Sequence, residues 1–124
     1  MAEVSCRWVV TTERLPALSE TAGKALANLG YKNIELHLAE ETLGWKNRAP
    51  YDAIMATAAA PSVPDELLEQ LAIGGRMVIP VGSRYIQELC KITRRKDRNV
   101  VENLGACRFV SLIGKGAWPE GPEF

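Results

Sequence analysis

Histidine is nearly missing from this chain. His37 stands alone among 124 residues, beside only three cysteines, Cys6, Cys90 and Cys107. An odd number of widely spaced cysteines with one histidine frames neither a zinc site nor a disulfide scaffold. They read as small buried hydrophobes of a protein in a reducing cytoplasm, and no metal role is expected. Net charge is missing too: fifteen basic residues against fifteen acidic give a formal charge of +0. That balance leaves no broad electrostatic footprint for nucleic acid or an acidic membrane. No apolar run approaches membrane-spanning length, and the residues before Thr11 are too few and too polar for a signal peptide. Gly-x-Ser-x-Gly, Cys-x-x-Cys and Walker-type loops are absent as well.

What is present is a globular balance, 47% apolar and 24% charged, in a length that makes one domain with a real core. Residues 1–118 are expected to form that domain, with residues 119–124 a loose tail. Trp8 to Thr12 is a β-rich run consistent with a strand buried on both faces. Pro16 suits the first turn of a helix, in which Leu18, Ala22, Ala25, Leu26 and Leu29 recur at helical spacing until Gly30 stops it. From Asn33 to Leu38 apolar and polar residues alternate, as in a half-exposed strand near a sheet edge.

After a polar loop, Glu40 to Pro50, the run Ala53 to Thr57 reads as a second buried strand. Ser62-Val63-Pro64-Asp65 has capping-box spacing for a short helix carrying Leu67, Leu68 and Leu71, which Gly74-Gly75 closes. Met77 to Val81 is the next buried strand. Ile86 to Thr93 and Cys107 to Leu112 are expected to pair antiparallel around the turn-rich segment Arg94 to Asn99. Strand-helix-strand alternation followed by a hairpin describes an open α/β sheet with a mostly parallel body.

Thr42-Leu43-Gly44-Trp45, Tyr51-Asp52-Ala53-Ile54, Thr57-Ala58-Ala59-Ala60-Pro61 and Gly74-Gly75-Arg76 lead in order into Met77-Val78-Ile79-Pro80-Val81-Gly82. At this spacing the run resembles the protein-L-isoaspartate O-methyltransferases, enzymes that use S-adenosylmethionine. Val9 to Arg14, Leu29 to Asn33, Ala49 to Asp52, Arg108 to Gly114 and Gly116-Ala117-Trp118 extend the resemblance over nearly the whole chain. It implies an α/β, Rossmann-like S-adenosylmethionine methyltransferase sheet, mostly parallel with a C-terminal antiparallel hairpin. It also implies a truncated one, because the Gly-x-Gly-x-Gly loop that opens the family's cofactor domain has no counterpart in Met1 to Arg7. The function implied is methyl transfer from S-adenosylmethionine to isoaspartyl carboxylates in protein repair.

The resemblance assigns four positions to the cofactor. Glu13, at a strand's carboxyl end, takes the role of the acid that accepts both ribose hydroxyls, since a carboxylate offers paired acceptors. The alternative is a solvated acid that helps to start the following helix. Glu40 falls where the family commonly has Gly-Asp-Gly, whose acid recognises the adenine amino group. Here the segment is Ala39-Glu40-Glu41, longer by a methylene and without the second glycine, which argues against an intact adenine pocket and for two solvated acids. Thr57 and Ala58 open the loop that lines the family's reaction centre, where small residues let ligand and backbone approach closely. The alternative there is tight packing of Ala58, Ala59 and Ala60 beneath a helix. No catalytic residue is assigned, because methyl transfer to a carboxylate needs positioning rather than a strong base.

Other candidates read as structural. His37 falls on the polar face of its strand, with no partner cysteine or acid triad, and reads as solvated; Arg94 to Arg98 read as a soluble turn, and Trp8 and Trp45 as anchors. In the family, the missing first strand lies between those matching Trp8 to Thr12 and Ala53 to Thr57. The chain is therefore expected either to pair those two strands directly or to fill the gap across a homodimer, with strand swapping as one form. Two functions stay open: a truncated methyltransferase homologue inactive as an isolated chain, acting on isoaspartyl-containing peptides only if active, and a non-catalytic small dimeric binding or scaffold protein.

Overall fold

The computed structural model describes residues 6–119, which fall into two compact units, one up to Glu40 and one from Glu41. Met1 and the expected tail beyond Pro119 lie outside the described residues.

The first unit is a strand-helix-strand: β1 (Val9–Glu13), α1 (Pro16–Asn28) and β2 (Ile34–Leu38). Proline's fixed φ suits the first helical turn, where its missing N–H costs nothing, and Pro16 stands there. Gly30, at φ +78°, takes the left-handed conformation that stops the helix. β1 and β2 pair in parallel from Val9 opposite Ile34 to Glu13 opposite Leu38. No residue of the three elements is buried. β1 was expected to be buried on both faces; it is half-buried, with β2 as its neighbouring strand within this unit. The apolar stripe of α1 is poorly covered too: Leu18 is 54% and Leu29 72% exposed. Between α1 and the sheet runs an open cleft of about 420 Å³, lined by Val9, Thr11, Leu18, Ala22, Leu26 and Leu36 among others. β2 lies at a sheet edge, as expected, but its burial does not alternate: Ile34 to His37 are all half-buried and Leu38 is exposed.

The second unit is a four-stranded sheet, order β3-β4-β5-β6, with β3 (Tyr51–Met55), β4 (Leu71–Gly82), β5 (Gln87–Arg94) and β6 (Asn99–Cys107). β3 and β4 are parallel; β4, β5 and β6 are antiparallel neighbours. Its core gathers Leu43, Ala60, Leu67, Leu71, Met77, Ile79 and Ile92. Met77, Ile79 and Leu71 are fully buried, so the strand expected over Met77 to Val81 is the structural centre.

Several expectations give way here. β3 is an edge strand with Asp52, Ala53 and Met55 exposed, not a buried one, because only β4 flanks it. Its start is earlier than expected, at Tyr51. The helix α2 (Asp65–Glu69) begins after Pro64 with no side-chain cap, so the capping box does not form. Gly74-Gly75 does not end it. The pair lies inside β4, where Gly74 at φ +84° accompanies a register shift between Tyr51 and Ala53; a glycine in the left-handed region is how one strand absorbs extra residues. The hairpin's return strand is Asn99–Cys107 rather than Cys107 to Leu112. The Arg95 N–H donates to the Arg98 carbonyl (2.8 Å), closing so tight a turn that pairing resumes at once. β1 pairs with β2 alone and β3 with β4 alone, so the expected direct pairing of β1 with β3 does not form. Among the described residues no helix is long and apolar enough to cross a membrane.

Candidate functional site

In the first unit the parallel pair brings two acids to one end. The Ala39 N–H donates to the Glu13 carbonyl (2.8 Å), which prolongs the β1–β2 ladder to the carboxyl ends of both strands. Glu40 follows directly and is exposed. Glu13 Oε1 accepts from the Leu15 N–H (3.2 Å), so one oxygen ties down the entry to α1. The helix-start role expected as the alternative is therefore real, and it uses one of the two acceptors. A nucleoside presents donors, two ribose hydroxyls and a base amine, and carboxylates at the ends of parallel strands match them. In this unit, however, Glu13 already anchors the start of α1 and Glu40 is a solvated acid, as its departure from Gly-Asp-Gly suggests. His37 was expected to be merely solvated; its Nε2 hydrogen-bonds Glu35 Oε1 on the same face of β2.

In the second unit the loop Thr57 to Pro61 continues beyond β3 and is pinned from both sides. Ala59 donates to the Val110 carbonyl (2.7 Å) and accepts from the Leu112 N–H (2.8 Å). Ala60 donates to the Pro80 carbonyl (3.0 Å) and accepts from the Gly82 N–H (3.0 Å). Ala59 and Ala60 are 1% and 0% exposed, so these two are packing residues. Thr57 is exposed and Ala58 half-buried. Of this loop, Thr57, Ala58 and Pro61 are within reach of a ligand. Bonded to both flanks, it is held at the carboxyl end of a parallel strand, where ligands of α/β sheets bind.

Two glutamines that sequence reasoning passed over fix the surroundings. Gln70 (3% exposed) accepts from the Trp45 N–H (3.0 Å) and donates to the Leu43 carbonyl (2.9 Å). Glu66 accepts from the Leu43 N–H (3.0 Å). Together they clamp Thr42 to Trp45, and Gly44 completes the clamp: at φ +74°, a Cβ there would lie 2.3 Å from Gln70 Oε1. Gln87 (2% exposed) accepts from the Phe109 N–H (2.8 Å) and donates to the Ser83 carbonyl (2.7 Å), which leads the chain into the Ser111 bridge with Ala59. A buried amide satisfies a buried backbone at both its ends. A Gln beside an apolar run carries no local sign of this.

Arg94, expected in a solvated turn, donates to the Leu68 (3.1 Å), Glu69 (3.4 Å) and Leu71 (2.6 Å) carbonyls and closes the end of α2. The three cysteines are free and half-buried. Burial pushes the Cys90 thiol above its ordinary value, with the Glu88 and Cys107 charges adding to it, so it stays a protonated, weak nucleophile at neutral pH. Among the described residues no group of histidine, cysteine and acid could hold a metal.

A family model described as Protein-L-isoaspartate(D-aspartate) O-methyltransferase matches residues 1–117. The chain is 49% identical over 111 residues to a protein-L-isoaspartate O-methyltransferase of Geobacter metallireducens, covering 89% of this chain and 51% of that one. It is 50% identical over 113 residues to one of Syntrophus aciditrophicus, covering 89% and 52%. The chain thus spans about half the length of the curated relatives it matches. Among solved structures it resembles a protein-L-isoaspartate O-methyltransferase at TM-score 0.79 and 26% identity, over 89% of this chain and 35% of that one. It also resembles a Plasmodium falciparum protein assigned as a protein-L-isoaspartate O-methyltransferase, solved with S-adenosyl-L-homocysteine, at TM-score 0.73 and 26% identity, over 87% and 53%.

Proposed function

Because the chain belongs to the protein-L-isoaspartate(D-aspartate) O-methyltransferase family, we propose that it is a cytoplasmic homologue of that S-adenosylmethionine-dependent enzyme, inactive as an isolated chain. In the first unit, Glu13 and Glu40 would accept hydrogen bonds from the nucleoside end of the cofactor; in the second, Thr57 and Ala58 are the residues assigned to the methyl group. When bound, the cofactor supplies a methyl group on a sulfonium, which passes to an isoaspartyl carboxylate oxygen. That acceptor is ionised at neutral pH, so the protein's task is to align and to exclude water rather than to move a proton. The Thr57–Pro61 loop is well suited to this, because its backbone is bonded on both flanks.

The observation that carries inactivity is burial. The unit bearing Glu13 has no buried residue in any of its elements, and a reaction that depends on placement within about half an ångström needs a packed support. Titration calorimetry with S-adenosylhomocysteine tests the cofactor reading. We expect weak binding, in the range of about 100 µM, lowered about tenfold in Glu13→Ala, and no methylation of an isoaspartyl peptide. No heat at millimolar ligand overturns the cofactor assignment; turnover by the chain alone overturns the inactivity. The second reading, a non-catalytic small dimeric binding or scaffold protein, is favoured by the exposed apolar stripe of α1 and survives a null titration.

A further inference from the structure

The last pair of the β4–β5 ladder, Gly82 opposite Gln87, is where both supports of the Thr57–Pro61 loop meet. On one flank the Gly82 N–H donates to the Ala60 carbonyl (3.0 Å), and the Ala60 N–H donates to the Pro80 carbonyl (3.0 Å). β5 comes close here because position 82 has no side chain: a Cβ would lie 2.9 Å from the Gln87 Cα. On the other flank Gln87 Oε1 accepts from the Phe109 N–H (2.8 Å). The strip beyond Phe109 is the one that holds Ala59, through the Val110 carbonyl (2.7 Å) and the Leu112 N–H (2.8 Å). The other end of the same amide closes the turn between the strands. Gln87 Nε2 donates to the Ser83 carbonyl (2.7 Å), and Ser83 Oγ accepts from the Tyr85 and Ile86 N–H groups (both 3.2 Å). Gln87 is 2% exposed. A buried amide satisfied at both ends has one orientation open to it, so it fixes the entry of the strip more narrowly than an apolar side chain would.

We propose that Gln87 is the positioning residue of the Thr57–Pro61 loop: its amide sets where residues 109–112 run, and through them where Thr57 and Ala58 stand. The inference rests on the reading that gives those two residues to the methyl group. It supplies what that reading needs, since methyl transfer depends on placement. With both ends of its amide on backbone groups, Gln87 acts through Ala59 and not on a ligand. The chemistry calls for an amide at this place. An ionised glutamate would present acceptors only, one of them against the Ser83 carbonyl. A protonated glutamate presents one acceptor and one donor, as the amide does. Methionine has a similar length and makes neither bond.

Native-state hydrogen exchange of the full chain tests this with Gln87→Met and Gln87→Glu. It is read at the Ala59 and Leu112 amides, with those of Met77 and Ile79 as the internal reference. Gln87→Met is expected to speed exchange at Ala59 and Leu112 about tenfold more than at the reference amides, at every pH. Gln87→Glu is expected to do the same at about pH 8 and to regain most of the lost protection at about pH 5, because a buried carboxyl beside a carbonyl holds its proton. The unsubstituted chain, measured at each pH, removes the intrinsic pH dependence of exchange. A loss shared equally by all four amides overturns the proposal, since Gln87 would then support the whole unit rather than the loop. No loss at all overturns it too, and so does Gln87→Glu if acidification restores nothing. These amides are read without ligand, so a null titration with S-adenosylhomocysteine counts against the proposed function alone.

Discussion

The two units of this chain are built from the same kind of parts and reach opposite ends. The unit from Glu41 onward has a four-stranded sheet, fully buried Met77, Ile79 and Leu71, and two buried glutamines that satisfy the backbone they cover. The unit up to Glu40 has two strands, one helix and no buried residue among them. The apolar residues are there in both. What differs is the number of surfaces that face them: a strand with one neighbour and one helix over it stays half-wet whatever its sequence. A sheet of two parallel strands needs cover on its second face and its open edge. The first unit is thus loosely packed within itself, and the second has a closed core.

The comparison is sharpest in core deletions. Ile79→Ala, in the closed core, is expected to cost about 3–4 kcal/mol of unfolding free energy in urea. Leu26→Ala, whose side chain borders the open cleft, is expected to cost less than about 1 kcal/mol. Equal losses would erase the contrast between the units. Next comes the clamp. Gly44→Ala forces a left-handed φ on alanine and drives Gln70 away from Leu43 and Trp45, with an expected cost of about 2 kcal/mol. Gln70→Ala should cost a similar amount and add little on top of Gly44→Ala, since both release the same carbonyl and N–H; a fully additive double variant would show that the clamp is not one unit. Arg94→Ala strips three carbonyls at the end of α2 of a charged donor, worth about 1 kcal/mol at this partly wet site. The smallest effect is chemical. Cys90, its pKa raised by burial, holds its proton to higher pH than an unfolded thiol, so its alkylation by iodoacetamide at pH 8 should lag behind that of the denatured chain. Equal rates would place Cys90 in open solvent.

How much of this could be read from the sequence follows the range of the forces involved. Pro16 and Gly30 mark the ends of α1 correctly because their effects are local: one fixes φ, the other permits a positive one. The alternation from Ile34 to Leu38 gave an edge strand for the same reason. Burial is not local. Val9 to Thr12 and Ala53 to Met55 carry the composition of central strands, yet each stands at an edge, because centrality depends on neighbours that a run of residues cannot announce. Gly74-Gly75 was ambiguous in kind, since the same pair can end a helix or loosen a strand, and the β3–β4 register decided it. The hairpin misread passed over Asn99 to Cys107, whose β-branched residues are only Val100 and Val101; the tight turn at Arg95 to Arg98 makes it the return strand. At the site, the places of Glu13 at the end of β1 and of Thr57 and Ala58 just beyond β3 follow from the strand pattern. Gln70 and Gln87 were not, because a buried amide is recognised only by the backbone it meets.

Native-state hydrogen exchange of the β1–β2 and β4–β5 amides, followed as protein concentration rises, tests the central claim most directly. The account predicts low protection across β1 and β2 and high protection for Met77 and Ile79, at every protein concentration. Equal protection of the two units at every concentration would contradict it.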